Sequence, residues 1–193
     1  MRPSIDDYFI AMVQLIATRS TCRRREVGCI LVNKRNHVLA TGYNGVAAGL
    51  PHCSESTGFD FVYDNGVDLT KPLTGQATSQ KLIYANACPA ANAAPGTQLD
   101  GCEAIHAEQN ALLQCRDVYE ITTCYVTASP CTTCTKLLLN TSCQRIVFIE
   151  EYPHALAAEL WVRNNRMWQR LNNPPTVKLS IERIGQGLAA LQG

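Results

Sequence analysis

The chain has 193 residues, a formal net charge of +1 and an apolar fraction of 46%, which indicates one soluble globular domain with a sizeable core. It has no run of about eighteen apolar residues, so no membrane-spanning helix is expected. The near-zero charge disfavours a nucleic-acid polymer as partner, because domains that bind one usually carry a basic face.

Cysteine is unusually frequent, with ten in the chain. The N-terminus "MRPSIDDYFI" has two aspartates where a signal peptide needs a cationic and then an apolar stretch, so we expect a cytoplasmic protein. Disulfide scaffolds belong to short secreted chains, and metal binding therefore explains several of these thiols better. Cys29 and Cys115 are expected to be small apolar core residues.

The first elements are a helix and a hairpin. Residues 4–19 are predicted to form a helix, because Ser4 suits its N-cap and an apolar stripe follows at helical spacing. "VGCILVN" (27–33) and "NHVLATGYN" (36–44) are predicted strands, and "NKRN" between them favours a tight turn.

Residues 45–104 lack periodicity and are rich in Gly, Pro, Asn and Thr. A structureless loop of that length is uncommon in a compact domain, so something must anchor it. The segment contains Cys53, Cys88 and Cys102, and we expect a metal-clipped insertion within one domain that spans 1–193.

Regular elements return after this segment. The predicted helices are 106–115, 131–139 and about 154–171, and the predicted strands are 122–128, 145–150 and 176–181. Strands separated by short helices favour an α/β fold in which helices cover both faces of a mixed sheet.

Two cysteines lie one helical turn apart in "ASPCTTCTKLLL". Cys131 and Cys134 alone fit a redox couple, half of a structural zinc site or part of a catalytic metal site. His106, at the start of the preceding helix, completes a set of one imidazole and two thiolates. Three protein ligands and an open fourth position are typical of catalytic zinc.

Glu108 lies two residues after this histidine and is not needed as a ligand. A carboxylate there could exchange protons between a metal-bound water and a substrate. The combined pattern, H-x-E followed 25 residues after the histidine by P-C-x-x-C, is the known signature of zinc-dependent nucleobase deaminases.

The chain resembles the deoxycytidylate (dCMP) deaminases of the cytidine deaminase superfamily. The resemblance rests on "TGYNG" (41–45), "IHAEQNAL" (105–112) and "YVTASPCTTC" (125–134). It implies a three-layer fold with a five-stranded mixed sheet. It also implies hydrolysis of dCMP to dUMP and ammonia for thymidylate synthesis, in which zinc-bound hydroxide attacks C4 and Glu108 shuttles protons.

The same resemblance assigns nucleotide contacts. The backbone of Ala107, with that near Ala128 and Ser129, would hold the Watson–Crick edge of the base. Asn44 would bind the sugar, although a turn residue in "YNG" is the alternative. Tyr125 would lie against the nucleotide, unless it is an ordinary strand aromatic.

The phosphate calls for cationic donors, and "TCRRREVG" supplies them before the first strand. Arg24 and Arg25, with Arg23, are the candidates, because guanidinium groups bind phosphate oxygens in pairs. A solvated basic turn is the alternative for this cluster. Arg116 is a further candidate for phosphate or effector contact.

A second, structural zinc is a hypothesis for the remaining cysteines. Its ligands would be Cys22, Cys53, Cys88 and Cys102, with His52 as the alternative to Cys88. Relatives that use a glutamate two residues before the zinc histidine differ from this chain, which has Ala104 there. Scattered thiols without a metal remain the alternative.

Regulation and assembly follow from the resemblance only. It implies a homohexamer that dCTP activates and dTTP inhibits, each with Mg²⁺. "GYNGVAAG" would form the effector loop, with Gly42, Tyr43, Asn44 and Gly45 as contacts. The alternative is that these glycines only serve the turn.

Three other functions stay open at this stage. One is another zinc deaminase, acting on cytidine, guanine, a pterin or riboflavin precursor, or tRNA adenosine. Another is a non-catalytic zinc module, which a three-ligand set disfavours. The third is a thioredoxin-like couple, which leaves His106 and Glu108 unexplained.

Overall fold

The computed structural model describes residues 2–49, 52–53, 90, 94, 97 and 102–175. The helices within these residues are α1 (Ile5–Ala17), α2 (Ala107–Gln114), α3 (Thr132–Leu139) and α4 (Ala155–Arg163). The strands are β1 (Gly28–Val32), β2 (Val38–Tyr43), β3 (Gly45–Val46), β4 (Ala104–Ile105), β5 (Thr123–Ala128), β6 (Arg145–Glu150) and β7 (Met167–Arg170). No helix among them is long and apolar enough to cross a bilayer.

Five strands form one mixed sheet in the order β2-β1-β5-β6-β7. β1 is antiparallel to both β2 and β5, whereas β5, β6 and β7 are parallel. The short strands β3 and β4 form a separate antiparallel pair in which Gly45 lies opposite Ile105. This pair joins the end of the hairpin to the segment that leads into α2.

Helices cover both faces of the sheet, and β1 is buried along its whole length for that reason. Cys29 and Leu31 face a core that α2, α3 and α4 complete, whereas Ile30 and Val32 face α1. Alternation with period two thus sends neighbouring side chains into two different cores. The predicted α/β class and five-stranded mixed sheet are confirmed.

The predicted helix 154–171 is too long, because its last part is a strand. The predicted helix 154–171 ends at Arg163, because Asn164 caps it and Asn165 takes a left-handed conformation with φ 57°, a common way for a helix to end. Met167–Arg170 then supplies the fifth strand. The Trp161 indole N–H donates to the Met167 carbonyl at 3.0 Å and fixes this turn. The predicted strand 176–181 lies outside the described residues.

A glycine allows α2 to pack directly on β2. A Cβ atom at Gly42 would lie 2.2 Å from the Ala107 carbonyl oxygen and 2.5 Å from the Ala111 nitrogen. Both are backbone atoms of α2, so no side-chain rotation could relieve the overlap. The absence of a side chain at Gly42 therefore sets the distance between the sheet and the helix that begins beside His106.

An ion pair joins α1 to the first residue of β6. Both Arg145 terminal nitrogens donate to the Asp6 carboxylate, and the Tyr125 hydroxyl donates to the same group at 2.7 Å. The two charged side chains are each 23% exposed. The hydrogen bond from Arg145 is the main reason that the pKa of Asp6 lies below its usual value.

We predict that Gly42→Ala lowers the free energy of unfolding by about 3 kcal/mol, because the new methyl group forces α2 away from the sheet. Urea denaturation measures the change. Gly45→Ala is the matched control, since its Cβ would meet only the Thr21 side chain, with the hydroxyl oxygen 2.7 Å away, and that side chain can rotate. Equal losses in the two variants would contradict the packing role of Gly42.

We predict that Asp6→Asn lowers the free energy of unfolding by about 2 kcal/mol at pH 7, because it breaks charged hydrogen bonds. The folded-state pKa is lowered, so this stabilisation is present above the unfolded value of about 3.9 and is lost as pH falls through the folded value.

The free energies of unfolding of wild type and Asp6→Asn, measured with urea, should therefore converge at low pH. Glu159→Gln, which removes an exposed ion pair with Arg163 at 3.4 Å, should change stability by less than about 1 kcal/mol. A difference between wild type and Asp6→Asn that persists in acid would contradict the account.

Candidate metal centre and adjoining pocket

Two helix N-termini bring the three predicted metal ligands together. His106 is the N-cap of α2, Cys131 is the N-cap of α3, and Cys134 lies in the first turn of α3. The Nδ1 atom of His106 lies 3.5 Å from the Cys131 sulfur and 3.4 Å from the Cys134 sulfur. All three ligand atoms are within 4.8 Å of one another.

These distances fit zinc. Tetrahedral zinc with Zn–S bonds of about 2.3 Å and a Zn–N bond of about 2.0 Å places nitrogen and sulfur about 3.5 Å apart. In the part of the chain that the structure describes, no other group of three His, Cys, Asp or Glu ligand atoms comes this close. The donor set, one imidazole and two thiols, is also typical of zinc.

The two thiols of this site differ in acidity. Hydrogen bonds, first from Cys134 and then from His106, lower the pKa of the Cys131 thiol to about 3. The same interaction with Cys131 raises the pKa of Cys134. A second thiolate in this buried place needs added positive charge, which a divalent cation provides.

Glu108 is buried next to these ligands. Its side chain is on the second residue of α2, is 3% exposed and lines the same pocket as His106 and Cys131. Burial raises the pKa of this carboxyl to about 7, although charge on His106 opposes the shift. A carboxyl with a proton affinity near neutral suits proton exchange with a substrate.

Three buried residues line the same pocket, namely Ala107, Ala128 and Ser129. The Ser129 N–H donates to the Glu150 carbonyl at 2.8 Å, and its hydroxyl accepts from the Tyr152 N–H at 2.8 Å. Ser129 therefore holds the segment after β6, and its N–H is engaged within the protein. Base contacts from Ala107, Ala128 and Ser129 stay predictions.

Asn44 lies at the pocket and fastens the loop before β1. Its Oδ1 accepts from the Val27 N–H at 2.8 Å and from the Ser20 hydroxyl at 2.7 Å, and its Nδ2 donates to the Arg25 carbonyl at 2.8 Å. The residue is 7% exposed. It is thus more than a turn residue, because it positions the loop that carries the arginines.

The two predicted phosphate arginines have different partners. Arg24 donates to the carbonyls of Ala94 and Thr97. Arg25 pairs with Glu150 at 3.4 Å and lies over the Tyr152 ring at 5.5 Å. Its Nη1 atom is buried and has no hydrogen-bond partner among the described residues. Both line the pocket, but Arg25 has the donor capacity to bind an anion.

Tyr152 is a pocket residue that the sequence analysis missed. It follows β6 directly, lines the pocket and stacks on the His154 ring, with centroids 5.1 Å apart. The carboxyl ends of parallel strands are a common place for ligands. The position of "EEYP" after the predicted strand 145–150 was the signal that could have revealed Tyr152.

The structure does not bring Tyr125 to the pocket, which corrects its assignment to the nucleotide. Its ring packs on Phe9 in the core under α1, 4.9 Å between centroids, and its hydroxyl binds Asp6. Successive residues of β5 face opposite sides, and the pocket side belongs to Ala128. Arg116 is exposed beyond the C-terminal end of α2, whereas His106 is at its beginning.

The predicted effector residues have structural contacts. Gly42 packs against α2, Gly45 pairs with Ile105, and the Tyr43 carbonyl accepts from the Asn110 side chain at 2.7 Å. An effector role for Gly42, Tyr43, Asn44 and Gly45 stays a prediction.

Three of the four other predicted zinc cysteines are described. Cys22 and Cys102 line the pocket, and Cys102 also packs in a small cluster with the buried Cys53. Cys88 lies outside the described residues. The second zinc stays a prediction.

A known family matches the region of the chain that contains these ligands. The family model for the cytidine and deoxycytidylate deaminase zinc-binding region matches residues 3–150. Deoxycytidylate deaminase of Schizosaccharomyces pombe is 34% identical over 155 residues, covering 78% of this chain and 38% of that protein. The Saccharomyces cerevisiae enzyme is 32% identical over 154 residues, covering 79% and 39%. That of Mycobacterium phage D29 is 32% identical over 151 residues, covering 78% and 98%.

The chain therefore spans about two fifths of the fungal relatives and nearly all of the phage protein. A crystal structure of dCMP deaminase from cyanophage S-TIM5, in complex with dCMP and dUMP, has the same fold. Its TM-score is 0.59 at 21% identity, over 89% of this chain and 99% of that one. The family match over most of its length shows that the chain belongs to the cytidine and deoxycytidylate deaminase family, which is defined by its zinc-binding region.

Proposed function

We propose that this chain catalyses the hydrolytic deamination of dCMP to dUMP and ammonia, and so supplies dUMP for thymidylate synthesis. The observation that carries the proposal is the meeting of His106, Cys131 and Cys134 beside the buried Glu108 in one pocket. The names of the fungal and phage relatives support the choice of dCMP, as do the ligands in the cyanophage structure.

His106, Cys131 and Cys134 would hold the zinc. When bound, zinc acts as a Lewis acid that makes its water easier to deprotonate. Glu108 takes a proton from the attacking water and delivers protons to N3 and to the leaving amine. A C4–O bond forms, the bond from C4 to the exocyclic nitrogen breaks, and ammonia departs.

Arg25 is the residue that we assign to the phosphate. Its guanidinium lines the pocket, and the buried Nη1 still has hydrogens to donate, whereas Arg24 is engaged with two carbonyls. An arginine held by an ion pair and an aromatic face loses little freedom when it binds an anion. Asn44, which keeps one Nδ2 hydrogen beyond its bond to Arg25, is assigned to the sugar.

Several finer features are proposed on the family resemblance. They are a second zinc at Cys22, Cys53, Cys88 and Cys102, activation by dCTP and inhibition by dTTP with Mg²⁺, a homohexamer, and a cytoplasmic location. For the first of these, Cys53 and Cys102 pack in one small cluster, although Cys22, Cys53 and Cys102 do not form a close group of three ligand atoms. The others rest on the resemblance and on composition.

The zinc-loaded protein is expected to convert dCMP to dUMP, measured by chromatography of the nucleotides together with ammonia release. Glu108→Gln should reduce turnover about 10³-fold, because the proton shuttle is lost while the zinc ligands remain. Glu103→Gln, at an exposed acid in the same segment, is the matched control and should keep wild-type turnover.

Cytidine, deoxycytidine and guanine are tested in parallel. If the protein deaminates one of these compounds but does not deaminate dCMP, it belongs with the deaminases of this fold that act on other substrates. Full activity in Glu108→Gln would contradict the assigned mechanism. Bound zinc, measured in each sample, separates a lost proton shuttle from a lost metal.

A further inference from the structure

An acidic side chain lies directly behind the proposed phosphate-binding arginine. Glu150 is the last residue of β6, and its carboxylate is 3.4 Å from the Nη2 atom of Arg25. Tyr152 supports the same guanidinium with its ring face, 5.5 Å from the centroid. Arg25 is thus held between a carboxylate and an aromatic ring, at the edge of the pocket.

The two terminal nitrogens of the Arg25 guanidinium have different surroundings. Nη2 faces Glu150, whereas Nη1 is buried and has no partner in the described part of the chain. An anion that accepts a hydrogen bond from Nη1 would lie roughly 6–8 Å from the Glu150 carboxylate, which is within the Debye length of about 10 Å at 0.1 M salt.

This arrangement limits the negative charge that the site tolerates. One phosphate can accept the hydrogen bonds that Arg25 still has to donate from Nη1. A second phosphate that approaches the Glu150 carboxylate, on a side chain that is 62% exposed, is repelled by its negative charge.

We propose that Glu150 is a specificity residue that restricts this pocket to nucleoside monophosphates by electrostatic repulsion of di- and triphosphates. The inference rests on the proposed function, because it takes Arg25 as the phosphate ligand. It adds a discriminating role for a residue that lies outside the zinc site and is not among the residues that line the pocket.

Direct binding tests the proposal without any need for turnover. The zinc-loaded protein is titrated calorimetrically with dUMP and with dUDP, and the ratio of the two dissociation constants is compared among variants. Glu150→Gln should lower the dUDP-to-dUMP ratio about three- to tenfold, as expected for removing one partly screened charge. The change should shrink as salt increases.

Two further variants distinguish this role from general effects. Glu151→Gln removes the same charge from the neighbouring exposed residue, and should leave the ratio near the wild-type value. Glu150→Asp keeps the charge and should also preserve the ratio. If Glu150 only positions Arg25, both nucleotides should weaken together in Glu150→Gln, and the ratio should then stay near the wild-type value.

An unchanged ratio in Glu150→Gln, or an equal fall in Glu151→Gln, would overturn the proposal. Failure of dUMP and dUDP to bind at all would overturn it along with the phosphate assignment. A parallel dCMP assay separates the two hypotheses, because loss of the proposed function appears as absent turnover in wild type, whereas loss of this inference appears only in the binding ratio.

Discussion

The close contact between α2 and β2 is the constraint on which the site depends. Gly42 has no side chain, so the backbone of α2 approaches the sheet where Ala107 and Ala111 pack into the core. His106 and Glu108 flank Ala107 at the start of this helix. The positions of His106 and Glu108 relative to Cys131 and Cys134 therefore depend on this backbone contact.

The pocket wall is assembled by a few hydrogen bonds that cross between distant segments. Asn44 binds the loop before β1, and Ser129 binds the segment after β6. Arg25 from the first segment then meets Tyr152 from the second and Glu150, the last residue of β6. Each polar residue at the wall thus positions another one, so the same side chains serve the fold and the chemistry.

The metal ligands could be predicted from the sequence because zinc imposes a donor set, a number of ligands and a local spacing. His106, Glu108, Cys131 and Cys134 were found in this way, and the structure places them together. The sheet was largely predictable because β1 is a continuous apolar run and the helices between strands are short. Ser4 was likewise recognisable as the N-cap of α1.

Side-chain direction and chain ends were harder to predict. Tyr125 was assigned to the nucleotide, but alternation along β5 turns it toward α1 and Asp6. The helix predicted to reach residue 171 ends early because Asn165 takes a left-handed conformation. Asparagine tolerates this conformation, but its presence in a sequence does not by itself predict the end of a helix. Tyr152 was missed because its role depends on tertiary neighbours.

His106, Cys131 and Cys134 would hold the zinc ion on which the proposed deamination depends. The most direct measurement removes metal with a chelator, returns zinc stepwise, and records bound zinc and dCMP turnover in the same samples. The account predicts that turnover in wild type returns with the zinc, while Cys134→Ser binds one zinc fewer per chain and stays inactive. Turnover that persists in zinc-free protein, or in Cys134→Ser, would contradict it.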